Sequence, residues 1–369
     1  MLNVQQYLAD KSLDDLAMEF GIKVNTYADR VVLNYSMIES PRFHPVCDEC
    51  RSLILSLGDL GILSRSFDRF YNYGESVEHK GVDFNNLVAM DKEDGSLMNA
   101  YHDGERWNVA SRKLAFAEGN TDSGTVFREL FRQALGCDVQ EAFAKLPREQ
   151  TYIFELCSRQ NRVVKRYDAP QAFFLAARDK HTGKYVDFEM IAEFSRVIAK
   201  QGASLFLPKT YRFSTLKEIL EAMKGLDPLD EGYVCVDEKT GLRLKIKNPS
   251  YLAIYHLREN GNISPKRIAN LVFMNDHEEY LTYFEEDRKY FQPYIHAYQR
   301  LVDNIQKNYA RFQDLENQKE FALAVKDLAV KDILFQLRRG RSLDDVLGSL
   351  FEQKRMQLME AFLDQQKDQ

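Results

Sequence analysis

A change of periodicity near residue 250 constrains this chain more than any other feature. From about residue 30 to 250, short β-rich runs broken by turn residues recur at 30–34, 51–57, 97–101, 107–111, 152–156, 162–164, 172–176, 233–236 and 242–246. Beyond 250 the strand alternation stops and long segments of 3.6-residue period take over. Such a pattern predicts an α+β fold, antiparallel sheets flanked by helices, followed by an all-α C-terminal part. The 369 residues also exceed the usual size of one hydrophobic core. Two domains are therefore expected, over residues 1–250 and 251–369.

Local signals refine this outline. Asp103-Gly104 supplies the positive φ of a tight hairpin between His102 and Glu105, and a second hairpin is expected across 237–241. Amphipathic helices are expected at 124–135 and 215–224, the latter entered through Ser214 as N-cap. Downstream, Ser264-Pro265 and Ser342 followed by Asp344 and Asp345 mark helix starts. Tyr280, Tyr283, Phe284, Tyr290 and Phe291 read as core of the helical part.

A net charge of -6 gives no global attraction to nucleic acid, so a polynucleotide partner needs a local basic patch. Arg338-Arg339-Gly340-Arg341 is one candidate, a solvated helix end being the alternative. Neither a signal peptide nor an apolar run of membrane-spanning length is evident, which predicts a soluble cytoplasmic protein without a membrane partner. No obligatory protein partner is evident either. Five cysteines cannot all pair, and Cys47-x-x-Cys50 lacks the second pair that a zinc site requires, so reduced thiols are expected.

The chemistry centres on Asp91-Lys92-Glu93-Asp94-Gly95-Ser96, a turn just before the 97–101 strand. Lys-x-Asp-Gly alone is a common turn composition. Its company gives it weight. Glu155 lies in Tyr152-Ile153-Phe154-Glu155-Leu156, Glu231-Gly232-Tyr233-Val234 opens a strand, and Leu244-Lys245-Ile246-Lys247-Asn248 closes the same hairpin. Alternation puts Lys245 and Lys247 on one strand face, opposite Leu244 and Ile246. Together the four peptides describe a pocket for a nucleoside triphosphate.

A lysine amine is almost wholly protonated at neutral pH, so a nucleophilic Lys92 needs activation. Lys245, Lys247, Arg51 and Arg69 are expected to lower its pKa by penalising the ammonium, and to offset the charge of an α-phosphate under in-line attack. Glu231 and Glu155 offer hard oxygens for Mg²⁺ or Mn²⁺, directly or through water, or acceptors for ribose hydroxyls. Gly95 and Gly232 permit close backbone approach to a nucleotide, with plain turn roles as the alternative. In 172–175, alternation sends Phe173 and Phe174 to opposite faces. Phe174 is the candidate to face adenine, a core role being the alternative.

The order Lys92-Glu93-Asp94-Gly95-Ser96, Glu155, Glu231-Gly232-Tyr233-Val234 and Lys245-Ile246-Lys247 resembles motifs I, III, IV and V of the covalent nucleotidyltransferases. Within that superfamily the chain looks most like the bacteriophage T4 RNA ligase 1 family. Glu49-Cys50-Arg51, the peptide from Ser64 to Asn72 and Asn161-Arg162-Val163-Val164 support the narrower match. The resemblance implies an ATP-dependent RNA ligase with Lys92 as the AMP-bearing lysine and Glu231, Lys245 and Lys247 on metal or phosphate. It also implies that Arg51, Arg69, Tyr71, Glu93, Gly95, Lys113, Glu155 and Gly232 surround ATP. The implied substrate is RNA with 5′-phosphate and 3′-hydroxyl ends, such as a cleaved tRNA anticodon loop, and the implied setting is a phage-encoded enzyme in bacterial host cytoplasm. Two departures stand out: Ser52 where the family usually has Gly, and Arg69 where it commonly has Lys. DNA ligases and capping enzymes usually append an oligonucleotide-binding β-barrel after motif V, whereas this chain turns helical there. A non-catalytic RNA-binding relative would have little reason to keep Lys92, both glutamates and both lysines.

Overall fold

The computed structural model describes residues 1–36, 39–73, 82–83, 85, 87–251, 254, 263–274, 277, 281, 284–315, 317–341 and 343–363. The chain divides into two compact units, Met1–His256 and Leu257–Gln369.

The first unit carries twelve described strands: β1 (Ile22–Thr26), β2 (Arg30–Tyr35), β3 (Arg51–Ser56), β4 (Ile62–Ser64), β5 (Leu87–Asp91), β6 (Ser96–His102), β7 (Trp107–Ser111), β8 (Gln150–Cys157), β9 (Gln171–Asp179), β10 (Thr210–Phe213), β11 (Gly232–Asp237) and β12 (Arg243–Lys247). They form three antiparallel sheets ordered β1-β2-β3-β4, β10-β5-β11-β12 and β7-β6-β8-β9. Each sheet buries one face under helices. The third sheet packs Met98, Trp107, Tyr152, Phe154 and Phe174 against Leu130 and Phe131 of helix Phe127–Leu135 and Phe194 of helix Phe188–Lys200. The second covers Leu244, Ile246 and Tyr233 with Ile219 and Met223 of helix Leu216–Met223. Helices Asn3–Leu8 and Leu13–Phe20 cover the first.

Both expected hairpins form, as β6-β7 and β11-β12. Residues 162–164, expected as a strand, lie in the loop after β8, where the Val164 amide is claimed by Asp94 instead of a neighbouring strand. Helix Leu216–Met223 starts one residue later than expected, because Thr215 rather than Ser214 accepts from the Glu218 amide.

In the second unit, helix Pro265–Phe273 is capped by Ser264, whose hydroxyl accepts from the Arg267 amide, and Arg288–Phe312 is the long central helix. Phe284 and Phe291 are buried, whereas Tyr290 faces solvent. Tyr280, Tyr283 and Ser342 lie outside the described residues. Arg338 packs over Phe321 and donates to the Leu315 carbonyl, and Arg341 donates to the Asp345 carbonyl. Two of the three arginines of that peptide thus serve helix packing and helix ends. Among the described residues, no helix is long and apolar enough to cross a membrane.

Candidate active site

β5 belongs to the second sheet and β6 to the third, so the peptide between them, Lys92 to Gly95, carries the chain from one sheet to the other. A cavity of about 720 Å³ opens beside this crossing. The second sheet lines it with Met90, Asp91, Glu231, Val234, Arg243, Lys245 and Lys247, and the third with Leu97, Glu155 and Leu175.

The crossing is held rigidly. The Lys92 amide donates to the Gly232 carbonyl at 2.8 Å. Buried Asp94 accepts from the Val164 and Lys165 amides at 2.7 and 2.8 Å and from the Tyr251 hydroxyl at 2.9 Å. Much of the motif is thereby scaffold for the Lys92 side chain. A Cβ on Gly95 would lie 2.2 Å from the Leu156 carbonyl oxygen, and one on Gly232 would lie 2.3 Å from that of Ile246. Close packing between backbones is by itself enough to require both glycines.

Lys92 Nζ lies 2.5 Å from Glu231 Oε2, and Lys247 Nζ lies 3.2 Å from the other oxygen of the same carboxylate. Alternation along β12 places Lys245 beside them, its ammonium 4.8 Å from the centre of the Phe70 ring. Burial opposes the Lys92 charge, yet Glu231 and Glu155 outweigh it and hold the ammonium above its ordinary pKa. The expected depression of this amine by neighbouring cations is not found, because the two carboxylates prevail. Depression falls on Lys245 instead, pushed down to about 7 by burial and by Arg51, Lys92 and Lys247. Glu155 is pushed up to about 7 by burial, partly countered by Lys92.

Lys92, Glu93, Gly95, Arg51, Lys113, Glu155, Glu231, Lys245 and Lys247 therefore converge on one cavity. Four expected residues do not line it. Gly232 is one, its carbonyl accepting from the Lys92 amide beneath the crossing. Arg69 is buried between the Tyr35 and Tyr71 rings, at 4.3 and 5.3 Å, and reaches the Ser40 and Pro41 carbonyls. Tyr71 spends its hydroxyl on Asp48 and on the Phe43 amide. Phe174 is buried and stacked on Phe154 in the helix-covered core. The residue that turns to the cavity in its place is Leu175. Alternation sends Leu175 to the face opposite Phe174, and the bulge at which Ile153 pairs with Ala176 and Phe154 with Phe174 leaves Ala176 beside it, against Phe67 and Ile153.

Sequence reasoning also missed Arg112 and Arg243, which line the cavity. The signal for Arg243 was present, two residues before Lys245 on the same strand face. Ser52, the departure from Gly, occupies a bulge between β2 and β3 with φ of 55°. Its hydroxyl donates to the Ser111 carbonyl and accepts from Asn99, offsetting a conformation that suits glycine.

A sequence profile of the RNA ligase family, of the T4 RNA ligase 1 type, matches residues 49–251. The chain is 32% identical over 362 residues to a protein of Autographa californica nuclear polyhedrosis virus named as a bifunctional polynucleotide kinase/RNA ligase, covering 93% of this chain and 50% of that protein. It is 25% identical to an RNA ligase of Rhodothermus phage RM378, over 63% of this chain and 65% of the relative. The chain therefore belongs to the RNA ligase family of the T4 RNA ligase 1 type. It spans about half to two thirds of the length of these relatives. Among solved structures, a Naegleria gruberi RNA ligase variant with ATP and Mn is similar at 15% identity, with a TM-score of 0.40 over 48% of this chain and 54% of that one.

Proposed function

We propose that this chain is an ATP-dependent RNA ligase that works through three nucleotidyl transfers in the one cavity. In the first, Lys92 Nζ attacks the α-phosphorus of ATP. The ammonium first gives one proton to solvent; the N–P bond then forms from the freed lone pair as the bond to the β-phosphate oxygen breaks, pyrophosphate leaves with that bond's electron pair, and a second N–H proton passes to solvent. The AMP then passes to an RNA 5′-phosphate, and an RNA 3′-hydroxyl finally displaces it to seal the strand. Because each step exchanges one phosphorus substituent for another, the same positioning and cationic stabilisation serve all three.

The observation that carries the proposal is the pairing of Lys92 with Glu231 in a cavity where Lys245 and Lys247 stand on the facing strand. That pair holds the amine at the required place but protonated. Glu231 and Glu155 suit a hard divalent cation, which commonly takes one or two carboxylates and completes its shell with water and phosphate oxygens. Among the described residues, no group of three His, Cys, Asp or Glu side chains encloses a metal, so such a partial site fits the donors better than a closed one. Mg²⁺ or Mn²⁺ held there would supply positive charge to the phosphates and weaken the grip of both carboxylates on the Lys92 proton. Lys245, Lys247, Arg51 and Lys113 would receive the phosphates, and Leu97, Leu175 and Val234 offer apolar surface for the base.

The RNA substrate would be a broken strand with 5′-phosphate and 3′-hydroxyl ends, a cleaved tRNA anticodon loop among them. The helical unit Leu257–Gln369 would select it, and the reaction would take place in host cytoplasm. The test is incubation with α-labelled ATP or GTP and Mg²⁺ or Mn²⁺, followed by denaturation. Label from ATP that survives denaturation and is absent in Lys92→Ala supports the proposal; labelling from GTP alone, or equal labelling of the variant, refutes it.

A further inference from the structure

Three arginines of the cavity lack the carboxylate partner that two other arginines of this unit possess. Arg178 is held by Asp68 at 2.6 and 2.9 Å, and Arg30 by Asp29 and Asp103. Arg51, Arg112 and Arg243 pair with no carboxylate among the described residues, and the Nε of each is buried without a hydrogen-bond partner. Aromatic faces hold them, aided by one backbone carbonyl each for Arg51 (Asp68) and Arg243 (Gly241). Arg243 lies 3.7 Å from the centre of the Tyr185 ring and 4.8 Å from that of Phe67, Arg51 lies 4.6 Å from Phe70, and Arg112 lies 4.8 Å from Tyr35. Stacking fixes a guanidinium plane but neutralises no charge, and burial draws both Arg51 and Arg243 below their ordinary pKa. A group so placed is completed by an anion.

Position decides which anion. Arg243, Lys245 and Lys247 share one face of β12, spaced by about 6.5 Å, so the row runs about 13 Å. Lys247 stands at the Lys92 end, joined to it through Glu231. Arg243 stands at the far end, and both it and Arg51 lie over the Phe67 ring, at 4.8 and 5.8 Å.

Building on the proposed adenylation at Lys92, we infer that Arg243 and Arg112, together with Arg51, form the subsite for the β- and γ-phosphates of the nucleotide and for departing pyrophosphate. Lys92 and Lys247 mark the α-phosphate end of the track, and the arginines mark the leaving-group end. The subsite confers a requirement for a triphosphate and acts in the first transfer only, because an RNA already carrying AMP brings no pyrophosphate into the cavity.

The test compares Arg243→Gln, Arg243→Lys, Arg112→Gln and the Arg112→Gln/Arg243→Gln pair with wild type in the full chain. Two reactions are read: formation of the AMP adduct from labelled ATP, and sealing of 5′-adenylated RNA without ATP. Binding of inorganic pyrophosphate is measured by calorimetry. Removing one charge-assisted hydrogen bond to the phosphates is expected to slow adduct formation roughly 10-fold or more, and the double variant about 100-fold, with matching weakening of pyrophosphate binding. Sealing of adenylated RNA falls much less, and Arg243→Lys restores part of the first step. Equal losses in both reactions, or pyrophosphate binding unchanged in the folded double variant, overturn the assignment. Absence of any adduct in wild type sinks the ligase mechanism itself and is recognised by that arm alone. Arg112→Gln, outside the sheet, keeps the test decisive if the β12 variants do not fold.

Discussion

Glu155→Gln offers a quantitative test of the electrostatics of the site. Among the described residues the Glu155 carboxylate makes no hydrogen bond or ion pair, although it faces the cavity from the middle of a sheet. Its pKa rises from 4.5 to about 7, through burial first and the nearby Glu231 and Asp94 charges, with Lys92 pulling the other way. Between pH 4.5 and 7 the folded chain therefore holds a proton that the unfolded chain has released, so stability from this group falls as pH rises through that window. Above pH 7 the ionised carboxylate imposes its full cost, about 3 kcal/mol at 1.36 kcal/mol per pH unit. Glutamine removes the charge and keeps the shape. Stabilisation of about 2–3 kcal/mol is expected at pH 8, falling below about 1 kcal/mol at pH 5. Urea titration followed by fluorescence of Trp107 measures it, since this only tryptophan is buried in the core beneath β8. Equal stability at pH 8, or a gain larger at pH 5, would refute the reasoning. Adduct formation by the same variant should drop, showing that stability is traded for function here.

Two further perturbations separate scaffold from site. Ser52→Ala keeps the left-handed backbone and loses both hydroxyl bonds, whereas Ser52→Gly loses the bonds and relieves the backbone, so the glycine variant should be more stable than the alanine one by about 1 kcal/mol in thermal unfolding; an alanine variant as stable as glycine refutes that account. Phe174→Leu should lower stability by about 1–2 kcal/mol with little change in KM for ATP, while Leu175→Ala should raise that KM about 5- to 10-fold. The reverse pattern in steady-state kinetics would return the base to Phe174.

The site was legible in the sequence where its residues obey a local rule. Alternation alone set Lys245 and Lys247 on one face, and the same rule applied one step further would have found Arg243. Leu175 obeys the rule too, lying opposite Phe174, but which face of that strand the helices cover is decided by tertiary packing and not by 172–176 alone. Arg69 and Tyr71 lie beside the motif peptides but point to Tyr35, Asp48 and the 40–43 segment, a choice made by tertiary packing. β5 and β10 were overlooked because their pairing partners are distant in the chain, β10 being a short edge strand on β5. The protonation of Lys92 was misjudged for a related reason. Of the four cations expected around it Arg69 lies elsewhere, and the charge that Lys92 meets is Glu231, 139 positions away.

That misjudged amine is where the account is most exposed, because the cavity holds a second lysine, Lys245, whose pKa of about 7 leaves it far more often neutral. The decisive measurement is peptide mass mapping of the protein after incubation with ATP and Mg²⁺ or Mn²⁺, locating the covalently bound AMP. The geometry around Glu231 predicts AMP on Lys92 alone, lost in Lys92→Ala and retained in Lys245→Ala at reduced level. AMP on Lys245 or Lys247, or no adduct on the wild-type chain, would contradict it.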